Sequence, residues 1–537
     1  MKEVYVNRLP ENEDASKYLN GLFNRITDDT MVVFEKGTYF FKKQLVLKGK
    51  KNIVLDGKGS VLVPYYDNKN DYRKSSDGIA FEYCTNLVLK NFKLTASQPA
   101  NIGGKIVRVS DGSVDVELYS SIPLDGKEKF LAGMAFTDHD YPLSIHYIHN
   151  RSEQNPEIHS YIGDEIATTA PELVNARHER IGEDVWRIYT ESDTSMLVPG
   201  MKCNVSHTYY GLTAFVFRSC KDVVVESVHI SNFGGFGYLI LPACENFTFR
   251  NVRFQSDDRI HQPYSVTADG IHITGLGGKL VIEDSYFELI GDDWLNSHTA
   301  VLTVTQKEGN ALSLIFDKPN ALFPKRWTQP GDLLYVYDKD NLGLKCKIKS
   351  VSCNEEKLVV DDASMVNAGD FITNANYCPD ICIRNTTFTN SRSRLCLQSA
   401  NSIDIHDCNI DICSRLAAIY ISAAFRYWGE AGSVKDVNIY NNRISQPSLE
   451  GASEIQKQNT DPIAIRVKTE DIKSFYRYSN INIHNNQIEG RIFVASTDGV
   501  VIKSNQIKAK KPTVEIANCT DTNIVDNDES VVCDANL

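Results

Sequence analysis

The sequence predicts an all-β chain wound into a right-handed parallel β-helix, and three observations carry that expectation. Short runs alternate apolar and polar residues with period two, the mark of half-buried strands. The runs recur every 22–24 residues in their regular stretches, the spacing of a stacked solenoid. β-Branched residues fill the apolar positions, where a leucine-rich repeat of similar period would carry a leucine framework.

The elements follow in chain order. Residues 1–96 hold DASKYLNGLFNRI, whose helical apolar spacing fits a cap on the open end of the solenoid, and then the motif NLVLKNFKL at 86–94. Residues 97–210 break the repeat: GGKIVRVSDGSVDVELYSS reads as a hairpin about its Asp-Gly turn, followed by polar sequence without a period. The repeat resumes over 211–299 as DVVVESVHI (222–230), NFTFRNVRF (246–254) and KLVIEDSYF (279–287). Residues 300–378 carry ALSLIFD, DLLYVYD and CKIKSV, short strands with Gly and Asp turns that predict a small inserted barrel-like module. The last coils lie in 379–537: DICIRNTTF (380–388), SIDIHDCNI (402–410), DVNIYNNRI (436–444), NINIHNNQI (480–488) and GVVIKSNQI (499–507). Insertions on a solenoid crowd one face and shape its binding site. The Asn after the strand (Asn91, Asn385, Asn442, Asn486) suits a left-handed backbone at a coil corner and also stacks into hydrogen-bonded ladders.

Hydrophobic content of 42% supports a large core in a chain of 537 residues. A formal charge of −12 argues against nucleic acid, whose binding rests on clustered Lys and Arg, and fits a neutral sugar better than a polyanion. No stretch of eighteen apolar residues predicts a membrane span, and MKEVYVNRLPENEDASKYL lacks an apolar leader. That start fits a cytoplasmic protein, or a secreted or periplasmic one whose leader has been removed. Thirteen cysteines show no C-x-x-C pair, and those in strand-like runs (Cys382, Cys396, Cys408) read as small buried hydrophobes without a disulfide framework. Solenoid flanks and inserted modules also offer surfaces for a homodimer.

Chemistry concentrates in two stretches, TADGIHITG at 267–275 and GDDWLNSH at 291–298. Asp269 precedes Asp292 by 23 residues and Asp293 by 24, one coil of the repeat, so the solenoid stacks the three acids on neighbouring coils. Crowded carboxylates push their titrations apart, which supplies a protonated acid and an ionised base at one pH. Glycoside hydrolysis needs that pair, and an inverting course sets the carboxyls roughly 6.5–9.5 Å apart to admit a water. His272, Asn296 and His298 continue the polar series. Three acids also suit calcium, but imidazoles beside them fit sugar hydroxyls better than an all-oxygen shell, so no metal or cofactor is expected. Another pair of adjacent aspartates, SDDR at 256–259, reads as a solvated loop.

ADGIHITG and GDDWLNSHT, the following β-module, SRSRLCLQS and YWGEAGSVKDVNIYNN together resemble glycoside hydrolase family 110 over most of the chain. That family comprises bacterial β-helix exo-α-1,3-galactosidases that remove terminal galactose from blood group B and related glycans. The resemblance implies an inverting, metal-independent mechanism with Asp269, Asp292 and Asp293 as its acids. Asp292 takes the general-acid role by similarity to polygalacturonases, and Asp269 and Asp293 position and activate water. The resemblance also places Arg392, Arg394, Trp428 and Glu430 near the groove, either as a galactose site, with Arg394 and Glu430 on sugar hydroxyls and Trp428 stacked on the ring, or as surface ion-pair and packing residues. Trp294 departs from the small residue usual there, as either a ring stacked on an acceptor sugar or a core aromatic.

Two alternatives stand beside this reading. A family 28 polygalacturonase shares the helix and the acids, and AIRVKTE at 464–470 resembles its Arg and Lys pair. The chain lacks the G-H-G motif of that family, and TAD stands where it has N-T-D, so Arg466 and Lys468 read as a coil-edge pair. A noncatalytic carbohydrate-binding or tailspike-like β-helix would require no convergence of acids.

Overall fold

The computed structural model describes residues 1–10, 13–65, 76–97, 101–118, 144–147, 150–151, 159–160, 178–189, 199–200, 202–206, 212–255, 264–316, 327–354, 357–389, 394–411, 417–426, 428–445, 463–469, 477–509, 512–527 and 533–534. Arg392 and the SDDR stretch lie outside them.

Each sequence motif forms a strand that pairs in parallel with its counterparts one coil before and one coil after. Val223 faces Leu87 and Phe247, Phe247 faces Leu280, and Leu280 faces Ile381. The column runs on through Ile403, Val437, Ile481, Val500 and Thr522. Parallel strands joined by such crossovers wind right-handedly, and the result is the parallel β-helix that the repeat predicts.

Alternation decides which side chains go in. In Asp380–Arg384 the two isoleucines are buried while the flanking charges stay in water. Inward residues of equal register pile on one another, as in the stacked rings of Phe254, Phe287 and Phe388 at 4.9 Å per step. The helix Ser16–Arg25 adds Leu19, Leu22 and Phe23 to the same core. Asn20 fastens it to the first coils by accepting from Val46 N at 2.9 Å and donating to Gln44 O at 2.9 Å.

The corners refine the expectation for asparagine. Asn91 and Asn385 do adopt positive φ, at 60° and 46°. At the later corners the left-handed residues are Asn441 and Asn485 instead, and Asn442 and Asn486 turn inward. Their amides form a buried ladder: Asn442 donates to Asn486 Oδ1 (3.1 Å), Asn486 to Asn505 Oδ1 (2.9 Å) and Asn505 to Asn527 Oδ1 (3.1 Å). Each ladder oxygen also accepts the backbone N–H of the preceding coil's asparagine, at 3.0 Å. At these corners the asparagine carbonyls accept backbone N–H groups of the next coil, while the asparagine N–H groups are satisfied by the ladder oxygens.

Two inserts leave the solenoid. Asn101–Ser110 and Ser113–Leu118 form the predicted hairpin about Asp111 and Gly112, within a six-stranded antiparallel sheet. Leu302–Glu308, Ala311–Ile315, Lys357–Val360, Leu344–Cys353, Leu333–Tyr337 and Phe371–Asn374 close into a barrel in that order. The barrel has its own core, with Trp327, Leu334, Val336 and Ile372 among its members. Its outer rings Tyr337 and Phe371 pack on Phe425, with centroids 5.0 and 5.7 Å away. Arg426 reaches the barrel as well, donating to the carbonyls of Lys339 and Asp340.

Replacing one rung leaves buried groups above and below without partners. Asn486→Ala is expected to lower the stability of the C-terminal coils by about 2–3 kcal/mol, whereas Asn480→Ala at the exposed corner costs under about 1 kcal/mol. Urea unfolding of both variants checks the contrast.

Candidate active site

The acids stand at the entrance to a stack of short parallel strands: Ile271–Ile273, Leu295–Ser297, Leu395–Leu397, Ile419–Ala423 and Ile463–Thr469. Ile271 pairs with Leu295, an offset of 24, so Asp293 is the register partner of Asp269 and Asp292 that of Ala268. Gly291 makes the approach possible, since a Cβ there would sit 2.3 Å from Thr267 O on the coil beneath. Gly270 and Gly291 donate to Asp293 O and Val266 O, at 2.9 and 2.8 Å, and lock the two coils together.

One oxygen from each of Asp269, Asp292 and Asp293 lies within 4.8 Å of the other two. Three carboxylates do converge, but more tightly than the roughly 6.5–9.5 Å expected for an inverting pair. The reason is the lattice, because adjacent coils sit only about 4.8 Å apart. Among the described residues this is the one group of three acids, histidines or cysteines close enough to share a cation. Three of its oxygens have named partners: Asp269 Oδ2 lies 2.6 Å from His272 Nδ1, and Asp269 Oδ1 accepts from Asp293 N at 3.1 Å. Asp293 Oδ1 accepts from Arg394 Nε at 3.0 Å.

Burial, then the charges of Asp292 and Glu430, push Asp269 well above the usual carboxylate range. Burial pushes Asp293 up as well, against the pull of Arg394. Asp292 is only partly buried. Arg394 lies over the Tyr420 ring at 4.8 Å, and its charge is held by Asp293 although burial alone opposes it.

The structure places the other predicted residues in three settings. His272 and His298 are buried behind the acids, with their Nε2 atoms 3.3 Å apart. Burial lowers the pKa of both, that of His298 to about 4. The two rings engage acids and each other. Asn296 donates to Glu430 Oε2 at 3.4 Å, and His298 Nε2 lies 3.6 Å from Glu430 Oε1. Burial raises Glu430, but His298, His272 and the amides of Gln398 and Asn296 outweigh it and hold the carboxyl below its usual range.

Glu430 reaches this cluster because Glu430 and Ala431 pair antiparallel with Ala300 and Thr299, directly after His298. Trp428, nearly half exposed, stands on the same braced segment. Trp294 requires a correction to the sugar-stacking alternative. Its ring has no exposed surface and lies 5.2 Å from Phe388 in the solenoid core, so it is the core aromatic of the two readings.

Two side chains escaped the sequence reading. Gln398, buried, donates to Glu430 Oε2 at 2.9 Å, and Tyr420 forms the platform under Arg394. Tyr420 follows Cys396 by 24 residues, so the coil spacing that joined the acids was its signal.

A buried neutral imidazole ties stability to pH. Unfolded His298 takes a proton near pH 6.5, but the folded residue does so only near pH 4. Its depressed pKa means that stability is present above pH 6.5 and drains away as pH falls towards 4. His298→Gln lacks that titration, so the melting-temperature advantage of the parent over this variant is expected to shrink across the same interval. Thermal melts at half-unit pH steps check it.

Several curated proteins are similar to this chain over most of its length. α-1,3-Galactosidase B of Bacteroides thetaiotaomicron is 23% identical, with 89% of this chain and 80% of the relative covered. α-1,3-Galactosidase A of the same organism is 21% identical, covering 90% and 83%. α-1,3-Galactosidase B of Bacteroides fragilis is 22% identical, covering 87% and 80%. No family model matches the chain. Among solved structures, a polygalacturonase from Erwinia carotovora superposes with a TM-score of 0.41 at 10% identity, covering 99% of this chain and 96% of its own. A mannuronan C-5 epimerase A-module of Azotobacter vinelandii gives a TM-score of 0.39 at 8% identity, covering 97% and 88%. By its curated relatives the chain is, over nearly its whole length, a distant relative of the α-1,3-galactosidases A and B, in line with the resemblance to glycoside hydrolase family 110 that its motifs carry.

Proposed function

We propose that the chain is a glycoside hydrolase that removes terminal α-1,3-linked galactose from glycans, acting from the end of the chain and inverting the anomeric centre. The convergence of Asp269, Asp292 and Asp293 within 4.8 Å, backed by a buried cationic and imidazole support, carries the hydrolase reading. Such crowding opposes stability and is retained where chemistry uses it. The names of the relatives, α-1,3-galactosidases A and B, supply the sugar and the linkage.

In this mechanism Asp292, the one acid with exposed surface, protonates the leaving oxygen. Asp269 and Asp293 hold the attacking water between them. Burial raises both members of that pair, and the ionised form of the pair takes the proton from water. Arg394 fixes Asp293, and His272 fixes Asp269. A pair of carboxyls this close would by itself suit retention, at about 5–5.5 Å, but the third carboxylate supports inversion, because two acids clamping a water leave the third free to donate. Exo action rests on the segment bearing Trp428 and Glu430, which the barrel presses beside the acids like an end wall.

Proton NMR during hydrolysis of a nitrophenyl α-galactoside and of an α-1,3-galactosyl oligosaccharide is expected to show β-galactose first. Release of α-galactose first removes the inverting course, and cleavage of polygalacturonate alone removes the galactosidase reading. Asp292→Asn is expected to lower kcat by about a thousandfold or more while melting like the parent. Full activity in that variant excludes Asp292 as the acid.

A further inference from the structure

The segment that carries Glu430 leaves the solenoid as a narrow strap. Ala424 and Glu430 exchange backbone hydrogen bonds across its base, at 2.8 and 3.1 Å, and Val301 N donates to Gly429 O at 2.8 Å. Phe425 and Trp428 stand on the loop between, and Gly432 returns the chain to the coil. A Cβ at Gly432 would sit 2.4 Å from the Ser399 side chain, so the return passes close over the residue that follows Gln398.

One side chain from the next coil touches both ends of this strap and the barrel as well. Arg477 precedes the strand Tyr478–His484, whose first residue pairs with Val434. Its own N–H donates to Ser496 O at 2.7 Å, which anchors it to the coil beyond. Its guanidinium carbon lies 4.4 Å from the centre of the Tyr337 ring and 4.6 Å from that of Phe425, two rings set 68° apart. Its Nη2 donates to Gly432 O. Tyr337 belongs to the barrel, Phe425 to the tip of the strap and Gly432 to its root. A guanidinium suits this corner, because its flat faces lie on rings while its edge keeps donors for a carbonyl. Lysine, a compact ammonium on a flexible stem, has no flat face to offer.

We infer that Arg477 is a positioning residue for the site: by gripping Phe425, Tyr337 and Gly432 together it fixes the strap, and with it Glu430 and Trp428, beside the acids. The inference rests on the hydrolase reading of Asp269, Asp292 and Asp293. Among the described residues the contacts of Arg477 fall on the strap, the barrel and Ser496, and not on those acids. The acids are locked by the bonds of Gly270 and Gly291 between their own coils. Loss of Arg477 therefore loosens what borders the terminal sugar and leaves the acids in place, which is a loss of binding rather than of chemistry.

Arg477→Leu and Arg477→Lys test the assignment. KM for an α-1,3-galactosyl oligosaccharide is expected to rise about tenfold in Arg477→Leu, with kcat within about threefold of the parent. Arg477→Lys, which keeps the charge without the flat fork, is expected to move KM in the same direction by a smaller factor. An unchanged KM in both variants, or a fall in kcat at unchanged KM, overturns the positioning role.

A second measurement needs no turnover: hydrogen–deuterium exchange of parent and Arg477→Leu, followed by peptide mass spectrometry. Peptides over 428–432 and 299–302 are expected to exchange about tenfold faster in the variant, while those over 267–273 and 291–297 keep the parent rate. Equal acceleration in all four assigns Arg477 to the fold at large and overturns the proposal, as does an unchanged strap. The exchange contrast without cleavage of any α-galactoside leaves the clamp standing and removes the hydrolase reading. Galactoside cleavage without the contrast overturns the clamp alone.

Discussion

Everything in this molecule depends on the register between coils. A parallel strand sets each residue over its counterpart about 4.8 Å away, so like stacks on like. Phenylalanine on phenylalanine builds the core, and asparagine on asparagine closes the corners. His406, Tyr440 and His484 repeat the effect on the outer surface, with rings 4.9 and 5.0 Å apart. For neutral side chains such stacking adds contacts and hydrogen bonds at every step. For charged ones it enforces repulsion, and the acids of Asp269, Asp292 and Asp293 show how that repulsion is contained.

Containment takes two forms around the acids, and a fourth carboxyl, Glu430, works against it. Arg394 supplies a counter-charge, itself steadied on the Tyr420 ring. His272 and the N–H of Asp293 occupy both oxygens of Asp269, so that a carboxyl whose pKa burial raises keeps a fixed orientation. Glu430 gathers Gln398, Asn296 and His298 around itself, and its negative charge in turn raises Asp269. The acids are therefore coupled, and a titration observed in this site belongs to the cluster rather than to one residue.

Much of this was legible in the sequence because the governing distance is periodic. A spacing of 24 residues from Asp269 to Asp293 became a coil-to-coil contact, and the hairpin about Asp111 and Gly112 was visible from its turn. What escaped was finer or longer than one period. The choice between Asn441 and Asn442 as the left-handed corner is a one-residue question that composition does not answer. Trp294 sits in a polar motif yet faces inward, since the bend before the short strand resets which side chains point to the core. Gln398 joins His298 only across the barrel, where Leu295 pairs with Leu395 at an offset of 100 and the period disappears.

The barrel that interrupts the repeat also divides the site by ancestry of support. The acids ride on the solenoid lattice, where their spacing cannot drift without unstacking a coil. Glu430 and Trp428 ride on a segment braced from outside by Phe425 against Tyr337 and Phe371. One half of the site is thus crystalline in its inheritance and the other half upholstered. Substitution or resizing of the barrel can alter what stands beside the acids and leave the spacing of the acids themselves untouched.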